Sequence, residues 1–260
     1  LEEFKMKKSV ILRSAQVAIA TAGLAAATLV NAATWNFANN GVAISGANQT
    51  SVTLSGYYVG NASSGAINSG STFATASLTD QGGTGRGMNT GTDSGSPHHA
   101  FDNNGTTEML SLQFGTRVDL DSVTVGWSST DADLSVLAYT GSAAPAPIAG
   151  RTWSQLLSAG WSLIGHYAGS GTGTRAINAG NVTSSWWLIS AFNSGFGGNS
   201  SGLDNHNDYV KLLAVAGSAV AGCVPGAPGC GGQQVSEPAT LALFGLAALG
   251  VVAVRRRNAS

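Results

Sequence analysis

The run EMLSLQFGTRVDLDSVTVGW, residues 108–127, decides the fold. Met109 and Leu110 stand beside Leu112 and Phe114, and after Gly115 the apolar positions are Val118, Leu120, Val123, Val125 and Trp127. A period of two puts such residues on one face of a sheet, whereas a helix would need spacings of three and four. The parity changes between Leu120 and Val123, which predicts a bulge at Asp121 and Ser122. Gly115 predicts a turn between two strands.

The same pattern extends outward in both directions. Val52 and Leu54 alternate with polar neighbours, and Phe73 with Ala76 forms a weaker strand signal. Downstream follow Leu134, Val136 and Ala138, then Leu163 beside Ile164, Trp187 with Ile189, and Tyr209 to Val215. Clusters of Gly, Asn and Ser separate these runs, as turns require. The expected class is all-β, a β-sandwich or jelly-roll-like ectodomain over residues 33–222. One segment reads as helix, Trp153 to Ala159, with Thr152 as N-cap and Gly160 as the stop.

Composition narrows the function. The chain has 260 residues, 36 glycines and only 10% charged residues. Seven of its twelve Lys and Arg lie near the two ends. Between Ala33 and Val235 five basic residues (Arg86, Arg117, Arg151, Arg175, Lys211) face ten acidic ones, so the middle is acidic. Nucleic-acid binding needs a basic face to displace counterions and is excluded as an expectation.

The ends read as targeting segments. Lys7 and Lys8 precede an apolar, alanine-rich stretch that closes on Val30-Asn31-Ala32. This is the order of a secretory signal peptide, residues 1–32, cut between Ala32 and Ala33 or just after Ala33. Its partners are the Sec export machinery and signal peptidase. Leu1 to Lys5, ahead of Met6, read as a start-site artefact. At the other end Ala239 to Val254 gives sixteen apolar residues, roughly 24 Å of helix against a hydrocarbon core of about 30 Å. Flanking arginines reach the headgroups and local thinning absorbs the shortfall. Arg255, Arg256 and Arg257 stop translocation and stay on the cytoplasmic side of the inner membrane. Cys223 and Cys230 lie in a Gly/Pro linker, residues 223–235, and an oxidising compartment favours a local disulfide between them.

Ser236-Glu237-Pro238, the apolar run and the arginine cluster together resemble the PEP-CTERM sorting tail, here residues 236–257. The resemblance implies that Glu237 and Pro238 are recognised by an exosortase-type processing enzyme. It also implies an exported surface or matrix protein associated with exopolysaccharide or biofilm. Serine rather than proline precedes Glu237, a departure from the usual pattern.

Candidate sites in the middle compete with simpler explanations. His98 and His99 precede Asp102, and His206 lies between Asp204 and Asp208, but no helix holds three or four converging zinc ligands. Asp102, Asn104, Glu108, Asp131 and Asp133 offer hard oxygen atoms suited to calcium, without the spacing of an EF-hand loop. Loop capping is the simpler role for them, and no cofactor is required. Gly198 to Gly202 fits G-x-S-x-G around Ser200, but no strand leads in and no helix follows. Adjacent Trp186 and Trp187 must face opposite sides of a strand, which makes Trp186 the candidate for ligand contact. The chain is therefore read as a non-enzymatic surface protein. The alternative is a lectin-like, calcium-dependent glycan-binding module, with ice binding and hydrolysis ranked below it.

Overall fold

A computed structural model describes residues 32–90 and 99–220. The expected sorting residues Glu237, Pro238 and Arg255 to Arg257, the membrane segment 239–254, both cysteines and His98 lie outside the described residues. Of the expected signal-cleavage pair, Ala32 precedes the first strand and Ala33 begins it.

The all-β expectation holds. Among the described residues twelve strands run in chain order: β1 (Ala33–Asn36), β2 (Ala43–Ser45), β3 (Val52–Gly60), β4 (Ala74–Asp80), β5 (Arg86–Asn89), β6 (Phe101–Asp102), β7 (Thr106–Thr130), β8 (Leu134–Tyr139), β9 (Trp161–Tyr167), β10 (Gly173–Ala176), β11 (Thr183–Ala191) and β12 (Asp208–Ala219). The helix forms as expected, α1 (Trp153–Ser158), with Thr152 and Gln155 making a reciprocal capping box. Each side chain of that pair satisfies a backbone N–H at the helix start. Gly160, at φ 106°, then takes a conformation that a side chain would strain.

The sandwich expectation needs one correction. Two separate sheets were expected, but all twelve strands belong to one hydrogen-bonded sheet that closes through β12, β5, β4, β3 and β7 back to β12. Strand β7 makes this closure work. Its first half pairs with β3 and β11, and its second half with β12 and β10. On β11, Ser184 pairs with Val118 and Trp186 with Gln113, so Phe114 to Arg117 form a corner opposite the single residue Ser185. In place of the turn predicted at Gly115 there is a corner within one continuous strand, where the β7–β11 ladder shifts register. Gly115 donates its N–H to the Ser51 carbonyl at 2.9 Å, and a Cβ there would meet the Ser51 and Thr50 hydroxyls.

The predicted bulge is present. Ala216 pairs with Ser122 and Gly217 with Leu120, which leaves Asp121 as the extra residue. That insertion lets Leu120 and Val123 both point inward although three positions separate them. Together with the corner, it makes the two halves of β7 opposite walls of one core. Leu110, Leu112 and Phe114 from the first half meet Val123 and Val125 from the second, with Trp35, Trp187, Ile189, Val210 and Leu212 between them.

A second apolar cluster lies on the outer face of β7, β8 and β11. Met109, Leu137 and Leu188 are covered there by Trp153 and Leu156 of α1 and by Ile67, Phe73, Ile148 and Phe196 from the connections. Strand β8 is therefore buried at all six positions. Adjacent Trp186 and Trp187 face opposite clusters, Trp187 inward and Trp186 outward.

Candidate functional site

Both ends of β7 arrive at the start of β12, and the polar centre of the molecule is built there. Thr130 pairs with Asp208, while Asn103, just ahead of β7, donates its side-chain N–H to the Asp208 carboxylate at 2.6 Å. Asn103 also donates to the Phe192 carbonyl and accepts from the Asp208 N–H at 3.1 Å. The β7–β8 connection then brings Asp131 and Asp133 beside Asp208, with one carboxylate oxygen of each within 4.8 Å of the others. Asp133 and Asp208 are buried, and Asp131 is half-buried.

Each carboxylate in this cluster has local partners. Asp208 accepts from the Asp133 N–H at 2.6 Å, Asp133 from the Gly169 N–H at 2.6 Å, and Asp131 from the Ala132 N–H at 2.7 Å. The Arg175 guanidinium enters from β10 and donates to the carbonyls of Ala132 and Gly171. Burial pushes the Asp208 carboxyl up to about 8, and the charges of Asp133 and Asp131 add to that, while the hydrogen bonds from Asp133 and Asn103 oppose it. Asp133 is also raised by burial. Burial lowers Arg175, and the three aspartates pull it back. Chemically this is a buried acidic cluster with a resident guanidinium as its counter-charge and a carboxyl that keeps its proton near neutrality.

The sequence candidates distribute unevenly around it. Asp131 and Asp133 come together, joined by Asp208, which the sequence placed only beside His206. The link is the β7–β12 register, and no local spacing carries it. Asp102 instead caps its own turn by accepting from the Asn104 N–H at 3.0 Å, and buried Glu108 accepts from the Asp102 N–H at 3.3 Å. Asp102 is therefore found capping a turn, with the Asn104 N–H as the group it satisfies. His206 is exposed at φ 140°, with Gly65 packed against its ring. Ser200 sits in a turn between the 3-10 segment 194–196 and β12, without the strand and helix of a nucleophile elbow.

Sequence reading missed a serine–histidine pair. Ser135 Oγ lies 2.9 Å from His166 Nδ1, and His166 Nε2 lies 2.7 Å from the Gly197 carbonyl. With Nε2–H donating to that carbonyl, Nδ1 accepts from the serine. The serine is fully buried, however, and its oxygen also accepts from the Asn193 N–H at 3.1 Å. This pair fastens the 192–198 connection to β8 and β9. Burial lowers the pKa of the His166 ring, and the hydrogen bond to the Gly197 carbonyl opposes that shift.

A third group lies at the corner of β7. Thr53, Gln113 and Trp186 are neighbours across β3, β7 and β11, with Thr53 and Gln113 exposed and Trp186 half-buried. Trp186 meets Tyr139 edge-on at 5.8 Å, and Tyr139 meets Trp161 at 5.7 Å.

At the opposite end from the acidic cluster the chain enters and leaves. Ala33 pairs with Gly217, and the Val220 N–H donates to the Arg117 carbonyl at 2.8 Å. No curated protein and no solved structure matches the chain. The family model described as the PEP-CTERM protein-sorting motif matches residues 234–257, so the chain carries a PEP-CTERM sorting signal behind its β-domain.

Proposed function

We propose that this chain is an exported protein that an exosortase-type enzyme processes at its C-terminal signal, and that its β-domain then serves a structural or adhesive role in an exopolysaccharide-rich surface layer. The observation that carries this reading is the sorting motif at residues 234–257. Only residues 221–233 lie between the last described residue of the domain and that motif. The signal peptide, the membrane helix and the anchoring step follow from the sequence of the two ends.

Display and binding, without catalysis, is the role assigned to the domain. The serine–histidine pair supports this, because a nucleophile must reach its substrate and the Ser135 hydroxyl is sealed in the protein. The acidic cluster supports it as well, since its charge is partly offset from within by Arg175.

The test is processing in a host that carries the sorting enzyme. Replacing Glu237 and Pro238 by Ala should leave full-length protein in the inner membrane, whereas the parent chain is shortened and reaches the surface. A double variant that still arrives at the surface with the parent's processed mass would sink the sorting reading.

A further inference from the structure

At the β7 corner one polar row runs unbroken across three strands. Thr53 stands opposite Gln113, and Gln113 stands opposite Trp186. Register partners share a face, so the hydroxyl, the amide and the indole project on the same side of a rigid sheet. Two strand spacings separate Thr53 from Trp186, about 10 Å, roughly the length of a disaccharide.

Trp186 differs from Trp187 beside it on β11 and from Trp161 on β9. Between Ser184 and Ala191 it is the one residue of β11 that is not buried. Trp187 donates its indole N–H to the Ser184 carbonyl at 3.0 Å, and Trp161 is sealed in the outer cluster. The Trp186 indole N–H, the Gln113 amide and the Thr53 hydroxyl have no hydrogen-bond partner among the described residues. Tyr139 braces the ring edge-on and is itself braced by Trp161, so the indole is held in place before any ligand arrives.

The row carries no charge. Gln113 offers both donors and an acceptor, Thr53 one of each, and the indole an apolar face with a donor at its rim. Gly115, two residues from Gln113, is exposed and adds no side chain beside the row. A neutral, hydroxyl-bearing ligand with an apolar ring face matches that set, whereas an anionic ligand would find no cation in the row. We infer that Thr53, Gln113 and Trp186 form a binding site for a neutral polysaccharide chain, with one pyranose ring against the indole and its hydroxyls on the amide and the threonine.

This site deepens the surface-layer reading but does not depend on sorting, so it is tested on protein purified as it is released from the producing cell. Neutral gluco- and galacto-oligosaccharides are titrated while tryptophan fluorescence is followed. Saturable binding by at least one of them is expected, weakened on the order of tenfold in Trp186→Ala and in Gln113→Ala. Gln113→Ala alters an exposed side chain and keeps the test valid if Trp186→Ala fails to fold. Trp127→Ala, under the Lys211 ammonium at 4.5 Å, should bind as the parent does. Absence of saturable binding to every neutral oligosaccharide overturns the inference. So does binding that survives both row variants, or binding that Trp127→Ala abolishes. Failure here leaves the processing test of Glu237 and Pro238 untouched, so the two readings fall separately.

Discussion

Ala33 stands opposite Gly217 in the antiparallel β1–β12 ladder, so the first and last strands of the domain enter and leave side by side. Strand β12 runs twelve residues from Asp208 to Ala219, roughly 40 Å at the rise of an antiparallel strand. The acidic cluster and the chain exit are therefore at opposite poles.

Because β1 is only four residues long, its worth lies in one side chain. Trp35 is fully buried, meets Phe114 edge-on at 4.8 Å and donates to the Thr50 carbonyl at 2.7 Å. Trp35→Ala is expected to cost about 3–5 kcal/mol. Denaturant unfolding should show a lower midpoint, and an unchanged midpoint would mean that β1 contributes nothing to the fold.

Acid should strengthen the distal pole before it weakens the molecule. The Asp208 carboxyl titrates at about 8 in the folded protein against 3.8 when free. The folded state thus holds a proton that the unfolded chain releases, and the stabilisation is fully present below 3.8 and lost as pH rises through 8. Asp119, raised to about 6 by burial and by Asp121, acts in the same direction. His166 opposes them, because its lowered folded value makes protonation unfavourable as pH falls below about 6.5. A melting-temperature profile should rise from pH 9 to near 6.5, and Asp208→Asn should flatten that rise. A profile that climbs steadily from pH 6.5 to 9 would contradict the assignment.

Arg175 is the internal counter-charge of the cluster. Arg175→Met removes the guanidinium from beside three close carboxyl groups, together with its bonds to the Ala132 and Gly171 carbonyls, and should lower the melting temperature of the domain. Millimolar calcium should then raise the melting temperature of the variant far more than that of the parent, because only the variant lacks a cation there. Equal calcium responses in the two proteins would show that the guanidinium does not fill this role.

The arginine cluster at the C-terminus is expected to act through charge. Moving one guanidinium across the hydrocarbon centre costs about 2.5–3.5 kcal/mol on insertion scales, and three together stop transfer. Changing Arg255, Arg256 and Arg257 to Ser should release unprocessed protein into the periplasm, distinguishable by fractionation and mass from the membrane-retained Glu237/Pro238 variant. Retention of the triple variant in the inner membrane would refute the charge mechanism.

Features that depend on near neighbours can be read from the chain's residues alone. The alternation in residues 108–127, the bulge at Asp121, the helix capped by Thr152 and the sorting signal at residues 234–257 are all legible because periodicity, capping and segment order are local properties. Strands β1, β2, β5, β6 and β10 were not legible. Each has two to four residues, too few to show a period, and each is extended because a longer neighbour supplies its hydrogen bonds. Closure of the sheet was hidden for a related reason, since the corner at Phe114 to Arg117 is fixed by which strands pair with each half of β7. The cluster shows the same limit at the level of single residues. Asp131 and Asp133 are visible as a pair, but Asp208 lies 75 residues from Asp133 and meets it only through the β7–β12 register. The order of Thr53, Gln113 and Trp186 across three strands likewise depends on strand pairing, which is decided by how the whole sheet buries its two apolar faces.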